Sequence, residues 1–229
     1  MKILLLVVSF FGCLSAVGQD TLEVHPVSDF IPDGKGSASA WDRAAWVDLT
    51  QLDEGVTGYE TRFKILHSEK GIYVLFHGLD RKVTSTYYQD FDDMYNADVF
   101  EVFFHPDPKQ PAYFEYEINP HDKELVLLIP NFDGSFFGWR PWHYEGDRKV
   151  VHKVHIEAQN GEMRSWMAEC FFPYALLNPL KPVPPSRGET WNGNFCRLDY
   201  DAGKMVKWSW SPIIRSFHEY KVYRPLVFR

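Results

Sequence analysis

Residues 97–104, ADVFEVFF, alternate strictly. One face carries Asp98, Phe100, Val102 and Phe104, and the other carries Val99, Glu101 and Phe103, because successive side chains on a strand point to opposite sides. The same period of two recurs from Thr61 onward, between turn signals at nearly regular spacing. It marks strands at TRFKILH (61–67), GIYVLFHG (71–78), YFEYEI (113–118), ELVLLI (124–129), KVVHKVHIEA (149–158), SWMAECFF (165–172), WNGNFCRLDY (191–200) and RPLVF (224–228). Long helical patterns are missing, and only YALL after Pro173 predicts a helical turn. This pattern predicts an all-β chain folded as an antiparallel β-sandwich, with a closed barrel as the weaker alternative. No repeat of fixed period interrupts it.

The ends and the composition bound the setting. Lys2 is followed by the apolar run Ile3 to Phe11 and then by small residues at Ala16 and Gly18, the pattern of a secretory signal peptide cleaved after Gly18. Residues 1–18 are thus read as signal and 19–229 as one domain, large enough for its own core. The alternative, a lipoprotein anchor at Cys13, is disfavoured by the bulky Phe10 and Phe11 before it. The apolar run is too short to span a bilayer, so the expected location is outside the cytoplasm: secreted, periplasmic or at the cell surface. Losing Lys2 takes the formal charge from −7 to −8, which argues against nucleic acid as a partner and is compatible with glycans. NPLKPVPPSRG (178–188) reads as a long loop within the domain. Spacing does not decide whether Cys170 and Cys196 pair, and without a CxxC or CxxH neighbour they make no zinc site.

Two strand carboxylates lie among apolar neighbours. Glu101 shares a face with Val99 and Phe103, and Glu169 one with Met167 and Phe171. Each needs a partner or an opening to water, since an unpaired buried charge is costly. Arg197, on the face of Phe195 and Asp199, is a candidate partner for either.

Seven segments in order resemble the family 9 carbohydrate-binding modules and the wider DOMON superfamily. They are FIPDGKGSASAWDRAAWVDL (30–49), TRFKILHSEKGIYVLFHGLD (61–80), DDMYNADVFEVFFHPD (92–107), YFEYEIN (113–119), SWMAECFFPYALL (165–177), GETWNGNFCRLDY (188–200) and the WSWSP and SFHEY pieces near 208–220. The likeness runs from Phe30 to Phe228. It implies a β-sandwich and a non-catalytic site in which two aromatic rings clamp a sugar, typically a terminal residue. In sugar-binding members an aromatic precedes a strand glutamate by six residues, a spacing that Tyr95 and Glu101 match, with Tyr where Trp is usual. The second ring would come from the late loop, where Trp208, Trp210 and Phe217 compete.

The chemistry fits such a site, because a flat ring packs on the C–H face of a pyranose while carboxylates and amides meet its hydroxyls. Tyr95, Asn96, Glu101, Asn119, Trp208 and Trp210 are the expected ligand-binding set, and the partner is a mono- or oligosaccharide held at roughly 4 to 8 kcal/mol. Three other readings compete. A glycosidase would pair Glu101 with Glu169 at about 5 to 10 Å. A haem-binding electron-transfer domain would use Met94 with His143 or His218. A scaffold with a degenerate groove would bind neither. Asp90, Asp92, Asp93 and Asp98 offer oxygens to calcium but lack the order of a calcium-binding loop, and His152 and His155 fall on opposite faces of a strand. The aromatic stretch FDGSFFGWRPWHYEG (132–146) would enlarge the site or form a partner surface.

Overall fold

The structure, a computed structural model, describes residues 21–53, 59–142, 144–182 and 184–229. The signal segment and Cys13, and His143, therefore lie outside the described residues. Among the described residues there are fifteen strands. The chain runs through β1 (Leu22–Pro26), β2 (Val47–Asp48), β3 (Thr50–Gln51), β4 (Thr61–His67), β5 (Gly71–Leu79), β6 (Val99–His105), β7 (Ala112–Ile118) and β8 (Glu124–Phe132). It continues through β9 (Ser135–Phe136), β10 (Arg140–Pro141), β11 (Val151–Gln159), β12 (Glu162–Pro173), the single helical turn α1 (Tyr174–Leu177), β13 (Thr190–Asp199), β14 (Val206–Ser209) and β15 (Arg224–Phe228).

These strands make a β-sandwich. One layer is ordered β10-β8-β7-β6-β13-β15 and the other β4-β5-β12-β11. β1 joins them: Leu22–Val24 pair with β15 and His25–Pro26 with β4, both in parallel. Every other ladder is antiparallel within the described residues. The exception falls where long connections, rather than tight turns, bring strands together.

The layers meet through aromatic rings. Phe100 of β6 stacks on Phe76 of β5 at 4.7 Å and on Trp166 of β12 at 3.8 Å, and Phe195 of β13 lies 3.9 Å from Phe63 of β4. The inward face read from 97–104 is therefore the face of Phe100, Val102 and Phe104, all in the central core. Cys170 belongs to that core, whereas Cys196 belongs to a second cluster on the outer side of the first layer. Both are free thiols, because a layer of sheet separates them.

Arg197 crosses the core to tie the layers. Its guanidinium donates to Asp80 at 2.9 Å, Asp199 at 2.6 Å, Thr61 Oγ1 at 3.1 Å and the Leu79 carbonyl at 2.8 Å. The expected partnership with Glu101 or Glu169 is corrected here: Arg197 points between the layers, and both glutamates point out of them. The close approach explains Gly78, where a Cβ would lie 2.5 Å from Arg197 Nη1 and 3.1 Å from Phe100 Cζ. Nη1 is held by two hydrogen bonds and has no room to retreat. Gly78→Ala is accordingly expected to cost about 1 to 3 kcal/mol, read as a lower urea midpoint at unchanged slope; an unchanged midpoint would mean that the guanidinium is not held.

Candidate functional site

Both outer faces of the sandwich are covered, which two bare layers would not require. On the second layer, Trp41 packs with Leu66, Tyr73 and Leu75. Glu169 there accepts hydrogen bonds at 2.8 Å from Trp41 Nε1 and from the backbone N–H groups of Asp33 and Gly34. It anchors the 30–49 segment. Since Glu101 points out of the other layer, the two carboxylates have the whole core between them and cannot act as a pair; the Glu101–Glu169 arrangement is corrected.

On the first layer, the 91–97 and 211–223 segments fold over the outward side chains of β6, β7, β8 and β13. The turn Met94–Asn96 is closed by Ala97 N–H to the Met94 carbonyl at 3.0 Å, and the Tyr200 hydroxyl donates to the Tyr95 carbonyl at 2.9 Å. Between these segments and the sheet lies a cavity of about 410 Å³. Tyr95, Trp139 and Phe217 supply rings to its wall, and Glu101, Glu115 and Glu117 supply carboxyl groups.

The carboxyl cluster follows from register. Glu101 on β6 lies directly opposite Glu117 on β7, and Glu115 sits two residues further along β7 on the same face. They are 3%, 4% and 1% exposed. Burial raises all three: Glu101 and Glu117 stand well above the ordinary carboxylate range, each with a neighbouring glutamate adding to the shift, and Glu115 is pushed up to about 8. Like charges directly opposed on a ladder repel, so retained protons are the expected state of an empty site. One oxygen each of Glu115 and Glu117 has no hydrogen-bond partner. His218 Nδ1 is 3.9 Å from Glu115, but burial lowers its pKa to about 4, so it is neutral near pH 7.

The structure places the expected site residues unequally. Tyr95, Asn96 and Glu101 line the cavity, as does Phe217. Trp208 and Trp210 do not. They are 1% and 5% exposed and belong to the central core, Trp208 with the Arg197 guanidinium 5.2 Å from its ring and Trp210 against Phe63. Alternation correctly keeps them on one face, and that face is inward. Asn119 is fully buried in the β7–β8 turn, where its amide donates to the Tyr87 carbonyl and its oxygen accepts from His121 and Lys123 N–H. Its polar atoms are used by backbone, so it is corrected from ligand contact to turn support.

Trp139 enters from the 132–146 stretch. It meets Tyr95 edge to face, with centroids 5.7 Å apart and planes at 63°, so these two rings form a corner rather than parallel jaws. The signal for Glu115 and Glu117 was present in YFEYEI, where both share the face of Tyr113 opposite Phe114 and Tyr116. The aromatic stretch 132–146 was marked as one that would enlarge the site, but nothing local singled out Trp139 within it.

The residues expected to hold a metal or haem are otherwise engaged. Among the described residues, Asp80, Asp98 and Asp201 bring ligand atoms within 4.8 Å of one another. Their oxygens are taken by Arg197, by the Thr84 and Tyr200 backbone, and by the Tyr59 and Thr84 hydroxyls. That trio reads as a knot tying the 80–84 segment to 199–201. Of the aspartates considered for calcium, Asp98 belongs to it, while Asp90 and Asp92 accept from the Glu124 and Gln89 backbone N–H groups. Met94 is wholly buried with Phe103 and Tyr113 and is not part of the cavity wall, so the Met94–His218 haem pair is not assembled there.

A β-sandwich with a walled cavity on one outer face is the architecture of a small-ligand binding module. A family model described as "Carbohydrate family 9 binding domain-like" matches residues 31–125, less than half of the chain. Its fold is similar to that of a candidate carbohydrate-binding protein from Bacteroides uniformis ATCC 8492, at 19% identity and a TM-score of 0.73, covering 91% of this chain and 99% of that one. It is also similar to a family 9 module from Caldicellulosiruptor kristjanssonii solved with cellotriose, at 12% identity and a TM-score of 0.64 over 92% of this chain and 94% of that one. A family 9 module from the same organism solved with glucose gives 13% identity and a TM-score of 0.65 over 92% of this chain and 96% of that one. No curated protein matches the chain.

Proposed function

We propose that the protein binds carbohydrate without modifying it, in the cavity on the outer face of the first layer. The observation that carries this reading is the meeting of aromatic rings with buried carboxyl groups around a space of about 410 Å³, which is of the size and chemistry that one sugar ring needs. Tyr95 and Trp139 offer ring faces, Phe217 is the further aromatic available to a clamp, and Asn96 and Glu101 meet hydroxyl groups. The family 9 likeness supports the same class of ligand. A terminal sugar is favoured because a space of about 410 Å³ holds about one ring. One domain spanning residues 19–229, released outside the cytoplasm after a signal at 1–18, completes the reading; no described helix is long and apolar enough to cross a membrane.

The test is a titration followed by tryptophan fluorescence, since Trp139 is 41% exposed beside Tyr95. Saturable change with a mono- or oligosaccharide is expected, and Tyr95→Ala followed by fluorescence and Trp139→Ala followed by calorimetry, since it removes the reporter, are each expected to weaken binding at least tenfold, about 1.4 kcal/mol. Silence across a broad glycan panel up to tens of millimolar would end the carbohydrate reading. Release of reducing sugar by the pure protein would end the non-catalytic one.

A further inference from the structure

We infer that this cavity selects a sugar bearing a free, protonated amino group over its neutral counterparts. The inference rests on the carbohydrate reading above and specifies its ligand. Glu101, Glu115 and Glu117 occupy adjacent register positions on β6 and β7, each more than nine-tenths buried. One oxygen of Glu115 and one of Glu117 have no hydrogen-bond partner, yet both residues line the cavity. Buried polar atoms are normally satisfied, so each of these carboxyls reaches the cavity wall with acceptor capacity that no protein donor uses.

No resident cation answers them. Among the described residues, the one ion-pair distance to any of the three glutamates is 3.9 Å from His218, whose imidazole is held neutral. Lys207 and Arg215 also line the cavity but pair with none of the three. Asp93 adds to the negative field around Glu117. A neutral hydroxyl serves one such acceptor at a time, whereas an ammonium brings three donors and the charge that lets a carboxyl ionise. A metal ion is the competing cation. The only trio of acidic or histidine ligand atoms within 4.8 Å among the described residues is Asp80, Asp98 and Asp201, elsewhere in the molecule. The three glutamates do not bring ligand atoms that close together, and they suit a ligand with the extent of a sugar ring, its ammonium at one carboxyl and its hydroxyls at the others.

The deciding measurement is calorimetric titration of the folded protein with D-glucosamine, D-glucose and N-acetyl-D-glucosamine near neutral pH and low salt. Glucosamine is expected to bind about tenfold or more tighter than either neutral sugar. In Glu115→Gln and Glu117→Gln, measured separately, that ratio is expected to fall to about twofold or less, because glutamine keeps the shape and cannot ionise when the ammonium arrives. Equal binding of the three sugars overturns the amino-sugar inference and leaves the carbohydrate reading standing. Binding of none overturns both. A preference that survives in both variants overturns the inference too, since the charge would then be read by other groups.

Discussion

Arg197→Met is expected to destabilise the protein by about 3 to 5 kcal/mol. The guanidinium is wholly buried between the layers and meets Asp80 and Asp199, which are equally buried. Removing it strands two aspartates in the core, and an uncompensated buried charge costs more than the ion pair contributed. The aspartates are already poised for this: burial raises both, Asp80 to about 7. Without Arg197 they would take up protons, so the loss should be smaller at low pH than at pH 8. Urea denaturation at the two pH values measures this. A further variant, Arg197→Met with Asp80→Asn and Asp199→Asn, should recover most of the stability, since replacing a whole buried network is far milder than halving it. If the single variant unfolded at the wild-type midpoint, the picture of a charge network clamping the layers would be wrong.

Glu115→Gln works in the opposite direction and makes the protein more stable above neutral pH. Burial pushes the folded-state pKa of Glu115 from 4.5 up to about 8. Below pH 4.5 the group is protonated in folded and unfolded chains alike, and the substitution changes little. Between 4.5 and about 8 the unfolded chain gives up its proton while the folded chain keeps it. Each pH unit then subtracts roughly 1.4 kcal/mol from stability. The contribution of this carboxyl is therefore present in acid and lost as pH rises to about 8. Glutamine does not titrate, so the variant should exceed wild type by about 2 to 4 kcal/mol at pH 8 and match it near pH 4. Midpoints measured across that range give the test. Parallel curves for the two proteins would show that Glu115 is solvated rather than buried. The gain would also be informative about purpose, because a stabilising substitution in a binding cavity marks a residue kept for its ligand rather than for the fold.

The sandwich was legible because its signal is local. β4 and β15 begin and end where alternation placed them, and the turn at Tyr174–Leu177 follows Pro173 as expected. The strands missed were those without a pattern long enough to read. β1 is five residues with a proline, β14 is four residues, and the two-residue strands β2, β3, β9 and β10 exist only because a neighbour supplies their partners. The site was legible in part. Tyr95 and Glu101 lie close in sequence, and the turn plus strand between them sets their relation directly. Trp208 and Trp210 mark the limit: alternation put them on one face but could not say which side of the layer that face would meet. Both sides of the first layer are buried, one by the second layer and one by loops, so an apolar face there carries no label of inside or outside.

What residue order by itself determined is the period-two register of each strand, and with it which side chains travel together: Glu115 with Glu117, Trp208 with Trp210, Phe100 with Val102. That follows from backbone geometry, which needs no neighbours. Only the tertiary structure decided that the glutamates would be gathered beside Trp139 and Phe217 around one cavity. Strand pairing across β6 and β7 and the folding of two distant loops over the sheet are contacts between residues far apart in the chain, and no local pattern encodes where such segments come to rest.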